Sequence, residues 1–217
     1  VTLTGRTLYK DGKWNTICLP FDVTIEGSVL EGAIARELTD ASISGSTLNL
    51  TFDETAVSTL VAGTPYIIRW ASGEDIVSPV FNGVTIDANA DNSFDSGSGE
   101  TRVRFLGTYD ALSFSDDDNE SVLLMGGNNE LRYANAKAGL GACRAYFKIG
   151  DDSHAARRLT AFHTNLDDET MGIRSIENGP LTKDNDNAWY SLDGRRLVGK
   201  PTMKGVYINK GNKITIK

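Results

Sequence analysis

Turn signals cut the chain into short segments, and inside those segments the apolar residues recur at every second position. Thr47 to Phe52 carries Leu48, Leu50 and Phe52 on one side. Thr101 to Tyr109 does the same around Val103, Phe105 and Gly107. Period two is the signature of a half-buried strand, because successive side chains point to opposite faces of a sheet. Tyr66 to Trp70 is the strongest strand of all, opened by Gly63-Thr64-Pro65. Pro65 is tolerated there because it stands at the strand start, where its missing N–H removes no ladder bond. Val122 to Met125 and Glu130 to Tyr133 flank Gly126-Gly127-Asn128-Asn129, a hairpin turn whose Gly and Asn accept positive φ. No long helical stretch interrupts this pattern. The class it predicts is all-β: a β-sandwich of jelly-roll or Ig-like type, with a barrel as the alternative.

Other segments read less sharply. Val1 to Tyr9 and Trp14 to Leu19, joined by Lys10-Asp11-Gly12-Lys13, read as a hairpin. Ala33 to Leu38 fits a strand or one helical turn equally well. Ile76 to Ile86 reads as a β region with Pro79 at an edge or bulge. Ala88 to Glu100 is polar, with Gly97 and Gly99, and reads as a loop, and so does the charged run Ser115 to Glu120. Ala142 to Ile149 and Leu159 to Thr164 finish a domain of residues 1–172. Residues 173–187, with Gly179-Pro180 and the run Lys183 to Asn187, read as a linker.

Residues 188–217 form a separate small β tail. Trp189 to Leu192, the turn Asp193-Gly194 and the return Arg195 to Val198 come first. Val206-Tyr207-Ile208 and Ile214-Thr215-Ile216 then alternate around Asn209 to Asn212, a hairpin by pattern. Val206, Ile208, Ile214 and Ile216 are expected on one buried face. The tail is strongly basic: Arg195 to Lys217 holds seven basic residues and no acidic one. The rest of the chain therefore keeps 15 basic and 29 acidic residues. Such a separation suits either a basic unit set against an acidic body or a recognition tag for another protein or an anionic surface.

The tail pattern WYSLDGRRL, then KP, KGVYI and GNKITIK, resembles the C-terminal end of secreted and surface proteins of Bacteroidetes bacteria (Bacteroides and Prevotella type). It is similar to the sorting domains of the type IX (Por) secretion pathway. RTLYKDGKWNTICLPFDV, AGTPYIIRW, FLGTYD and GACRAYFKI resemble segments of the uncharacterised modules that precede such tails. The resemblance implies export to the cell surface, contact with secretion machinery through the tail, and an all-β body. It brings no catalytic residue. The chain begins with Val1 directly in strand-like sequence, and we expect it to be the C-terminal piece of a longer protein.

Composition narrows the function classes. A sequence pI near 4.9 argues against nucleic acid, which needs a basic surface. No apolar run approaches the ~20 residues of a membrane-spanning helix. Cys18 and Cys143 lie far apart in strand-like runs, and without a CxxC pair they read as two buried thiols, with a disulfide as the alternative. Cys143 shares a parity with Ala145 and Phe147. His154 and His163 read as ordinary structural histidines. There is no GxSxG and no P-loop, while a carboxylate pair among 29 acids stays open to a sequence reader.

Two binding chemistries have candidates. Asp87, Asn89, Asp91 and Asp95 stand at positions 1, 3, 5 and 9 of an EF-hand-like spacing, a weak calcium signal. Asn92 takes the place of the turn glycine and Ser98 that of the closing glutamate. Trp14, Tyr66 and Trp70 offer aromatic faces for a sugar ring, against a competing expectation that strands so strongly patterned send them to the core. The reading that follows is a non-enzymatic module of an exported surface protein, structural or serving attachment or presentation. The alternative is a carbohydrate-binding module.

Overall fold

The computed structural model describes residues 1–151, 158–166, 171–172, 189–191, 196–197, 205–209 and 212–216. The linker and His154 lie outside the described residues. The chain divides into two compact units, Val1–Ile176 and Glu177–Lys217. It is all-β, and among the described residues no helix reaches seven residues.

Two sheets dominate the first unit. The six-stranded sheet runs, edge to edge, Met171–Gly172, Ala161–Thr164, Thr47–Phe52, Ile34–Ser44, Tyr66–Arg69 and Asn15–Ile17. The five-stranded sheet runs Leu131–Tyr133, Val122–Met125, Arg144–Ile149, Val103–Thr108 and Ser93–Ser96. Their inner faces share one core. Leu38, Leu48, Leu50, Phe52 and Ile67 from the first sheet meet Val103, Phe105, Leu123, Tyr133 and Phe147 from the second. This is a sandwich-like arrangement, and the period-two residues supply it. Phe105 and Phe147 are cross-strand partners whose rings stack with centroids 4.5 Å apart. Such a pair adds about 0.5–1.5 kcal/mol beyond its burial.

A second core lies on the other face of the six-stranded sheet. Tyr66 and Ile68 point into it, with Leu19, Phe21, Leu30, Leu60 and Phe81 from the connecting segments. Ile67 points the opposite way, into the sandwich core. Tyr66–Arg69 is therefore buried on both faces, which explains why it reads as a continuous apolar run rather than an alternating one.

Several expectations change. Val1–Tyr9 and Trp14–Leu19 do not form a hairpin. Thr7–Leu8 pairs with Ile76–Val77, and Asn15–Ile17 pairs with Tyr66–Arg69. Apolar surface is better covered when each joins a different sheet. Ala33–Leu38 resolves as part of the longest strand, Ile34–Ser44, with a register shift between Leu38 and Asp40. Residues 88–100 are not all loop, because Ser93–Ser96 adds an edge strand to Val103–Thr108. An edge strand needs no second apolar face, so its polar sequence conceals it. Ser115–Glu120 contains a short 3-10 turn, Asp116–Glu120, capped by Ser115 and Asp118.

The second unit holds one four-stranded sheet in the order Arg196–Leu197, Trp189–Ser191, Gly205–Asn209, Asn212–Ile216. Asn209 pairs with Asn212, Val206 with Thr215 and Tyr207 with Ile214. The expected common buried face of Val206, Ile208, Ile214 and Ile216 concerns side chains that lie outside the described residues. Of the seven basic tail residues, Arg196 and Lys213 fall in these strands, while the others lie outside the described residues.

Candidate functional site

An open groove of about 610 Å³ lies on the outer side of the five-stranded sheet. Strand alternation builds one wall. Leu123, Ala145 and Phe147 point into the core, so Leu124 and Arg144 point out. Arg132 pairs with Leu124 and shares its side. The segment Thr4–Tyr9, apart from the buried Leu8, also lines the groove, as does Gly139–Ala142. None of the lining residues is an acid, a histidine, a serine or a cysteine.

The charge at this groove is concentrated. Arg6 is only 5 % exposed. Its Nη2 donates to the carbonyl of Thr16 at 3.0 Å, on the edge strand Asn15–Ile17, where an outward carbonyl needs a donor. Nε and Nη1 of Arg6 are buried with no partner among the described residues. Burial and, after it, the nearby Arg144 hold the Arg6 guanidinium well below its ordinary pKa, and burial lowers Arg144 too. Arg132 is ion-paired to Glu130 at 2.9 Å. Among the described residues no carboxylate forms an ion pair with Arg6 or Arg144. Tyr9 brings an aromatic ring, 43 % exposed, to the same lining.

The aromatic candidates take other places. Trp14 is 4 % exposed, with the Arg69 guanidinium 4.5 Å from its ring centroid. Trp70 and Tyr66 are each 2 % exposed. Trp70 Nε1 donates to Glu31 O at 3.0 Å, and Tyr66 Oη accepts from Val61 N at 3.2 Å. All three are core residues, and no sugar can stack on them. Their large apolar area is worth more buried than displayed.

The calcium candidates also separate. Asp87 Oδ1 accepts from Asn89 N, and Asp91 Oδ1 accepts from both Ser93 N and Ser93 Oγ. Asp95 lies in the edge strand, and its carboxylate is held by Arg102. The Arg102 hydrogen bonds pull Asp95 below the usual carboxylate range. Among the described residues no three of His, Cys, Asp or Glu gather where they could hold a metal ion.

Cys18 and Cys143 are both free and buried. Cys18 Sγ donates to Gly63 O at 3.1 Å. Burial, reinforced by Cys143, pushes the Cys18 thiol up to about 12, so it is a poor nucleophile at neutral pH.

Sequence reasoning missed Arg6, Arg144 and Tyr9. One signal was available: in Arg144–Ile149 the alternation that buries Ala145 and Phe147 also turns Arg144 outward. Nothing local marks Arg6, because Arg144, which faces it at the groove, is distant in sequence. Comparison with family models, with curated proteins and with solved structures gives no match.

Proposed function

We propose that the chain is a non-enzymatic module of an exported cell-surface protein, with an attachment or presentation role. The groove is the observation that carries this reading. It is concave, open and walled by a sheet, and its lining mixes arginine, tyrosine, threonine and glycine with the apolar Leu124, Met125 and Leu140, a combination suited to holding a ligand. The likeness of the tail to type IX sorting domains supports export, with secretion machinery as the partner of the basic tail. Antibodies against the chain should label intact cells of its source organism, and brief protease treatment of those cells should remove the signal. Labelling that appears only after lysis overturns the surface assignment.

A second reading, a carbohydrate-binding module, is favoured by Tyr9. It places an exposed ring in the groove, as sugar recognition requires, although Trp14, Tyr66 and Trp70 do not. A glycan array probed with the purified chain tests it. Saturable binding to one glycan class that weakens in Tyr9→Ala supports it, and an array with no saturable binding removes it.

A further inference from the structure

We infer that the groove between Thr4–Tyr9 and the outer face of the five-stranded sheet is a carboxylate-binding site, in which Arg144 grips the ligand and Arg6 supplies a fixed positive charge behind it. This rests on the binding-module reading above and names the ligand class for it.

The argument begins with the cost of Arg6. A buried guanidinium is normally paired, because an uncompensated charge in a low-dielectric interior costs several kcal/mol. Arg6 has one neutral acceptor, the Thr16 carbonyl, and two buried donors without a partner. The leading charge acting on it is that of another arginine, Arg144, which disfavours the charged form further. Two unneutralised guanidinium groups at one concavity focus a positive potential there, and low-dielectric walls strengthen it. In an otherwise acidic domain this is the reverse of the surrounding field. An anion in the groove relieves the repulsion and repays the burial.

The donor set selects the anion. The guanidinium fork matches the two oxygens of a carboxylate with parallel hydrogen bonds. No lysine lines the groove, so the compact point charge typical of phosphate loops is lacking from it. Thr4 and Thr7 add hydroxyl-bearing side chains, and Tyr9 adds a ring face. These complement the body of a ligand that has hydroxyls of its own. The volume of about 610 Å³ is in the range of small-molecule pockets, about 300–1,000 Å³. The shared chemistry is a carboxylate, and its source is either a sugar acid or a simple organic acid.

Titration calorimetry on the full chain at low salt decides between them, with glucuronate, N-acetylneuraminate, tartrate, glucose and inorganic phosphate as probes. We expect saturable binding of the carboxylates, none of glucose, and at least tenfold weaker binding in Arg144→Gln, partly restored in Arg144→Lys. Tyr9 is exposed, so Tyr9→Ala keeps the fold and separates the sources. It weakens a sugar acid severalfold and leaves tartrate unchanged. If tartrate binds as tightly as the sugar acids, the ligand is a simple organic acid. Phosphate binding as tight as the carboxylates overturns the class assignment. Carboxylate binding that is absent, or unchanged in a folded Arg144→Gln, overturns the site. Array binding confined to neutral glycans would leave the module reading standing while this inference fails. Failure of surface labelling would do the opposite.

Discussion

The side chain of Asn165 holds both backbone polar groups of Phe52: its Oδ1 accepts from Phe52 N at 2.9 Å, and its Nδ2 donates to Phe52 O at 2.7 Å. The parallel partner of Thr47–Phe52 ends at Thr164, opposite Leu50. Beyond that point the strand would present an open N–H and C=O. Asn165 extends the ladder by one step with an amide that imitates a backbone.

Replacing it should therefore expose two unpaired groups beside a buried phenylalanine. Asn165→Leu is expected to cost about 1–3 kcal/mol, read as a lower urea midpoint with an unchanged m-value. Asn165→Gln should recover little, since one added methylene displaces the amide from both partners. A midpoint unchanged within error in Asn165→Leu would mean that water satisfies Phe52 equally well.

A second relationship explains a glycine. A Cβ on Gly107 would come within 2.7 Å of Cys18 Cβ and closer still to its sulfur. Gly107 sits mid-strand with no demand for positive φ, so close approach alone explains its place. Gly107→Ala should destabilise by about 1–3 kcal/mol through overpacking. Cys18→Ala in the same chain should return part of that loss, and a double-mutant cycle measures the coupling. Strictly additive effects would show that the two residues do not compete for this space.

How far these features could be read beforehand depends on the range of the forces involved. Leu48, Leu50 and Phe52, or Val103, Phe105 and Gly107, announce their strands because burial of one face is a local, periodic requirement. Pairing partners are not local. Thr7 meets Val77, 70 residues on, and nothing near Thr7 says so. Ser93–Ser96 is invisible to an apolar pattern because its role is to cover an edge. The aromatic candidates failed as a site for the reason that made them conspicuous: large rings in strong strands are core. The groove was illegible because its charge comes from Arg6 and Arg144, 138 positions apart by their numbers; Thr16 bridges their segments, its carbonyl accepting from Arg6 and its Oγ1 from Ala145 N at 3.1 Å.

The Cys18 thiol titrates far above its ordinary value of 9.0, at about 12, because burial disfavours the thiolate and Cys143 adds to the effect. A raised folded-state pKa contributes stability that is complete below the unfolded value. It is lost as pH climbs from about 9 towards 12, where the unfolded chain releases its proton first. Stability should thus fall across that window in the native sequence and fall less steeply in Cys18→Ala. At pH 8 iodoacetamide should modify the folded chain far more slowly than the unfolded one. Equal rates would place the thiol in contact with solvent.

Asp95 provides the corresponding test at acid pH, and it bears on calcium. Its carboxylate is held down by Arg102, a depressed pKa, so the contribution is present above the ordinary carboxylate value of 3.8 and disappears as pH falls through the folded one. Both side chains are partly exposed, and solvent screening keeps the pair to about 0.2–1 kcal/mol. Asp95→Asn should lower stability by that amount at pH 7, and by progressively less as pH falls through the folded value. Because Arg102 already neutralises Asp95, and Asp87 and Asp91 are engaged with backbone in their own turns, added calcium would have to displace those bonds before binding. The melting temperature is accordingly expected to agree within 1 °C, about 0.25–0.5 kcal/mol for a domain of this size, in millimolar calcium and in chelator. A calcium-dependent rise that vanishes in Asp91→Asn would restore the loop as an ion site, with the Asp95–Arg102 pair opened to make it.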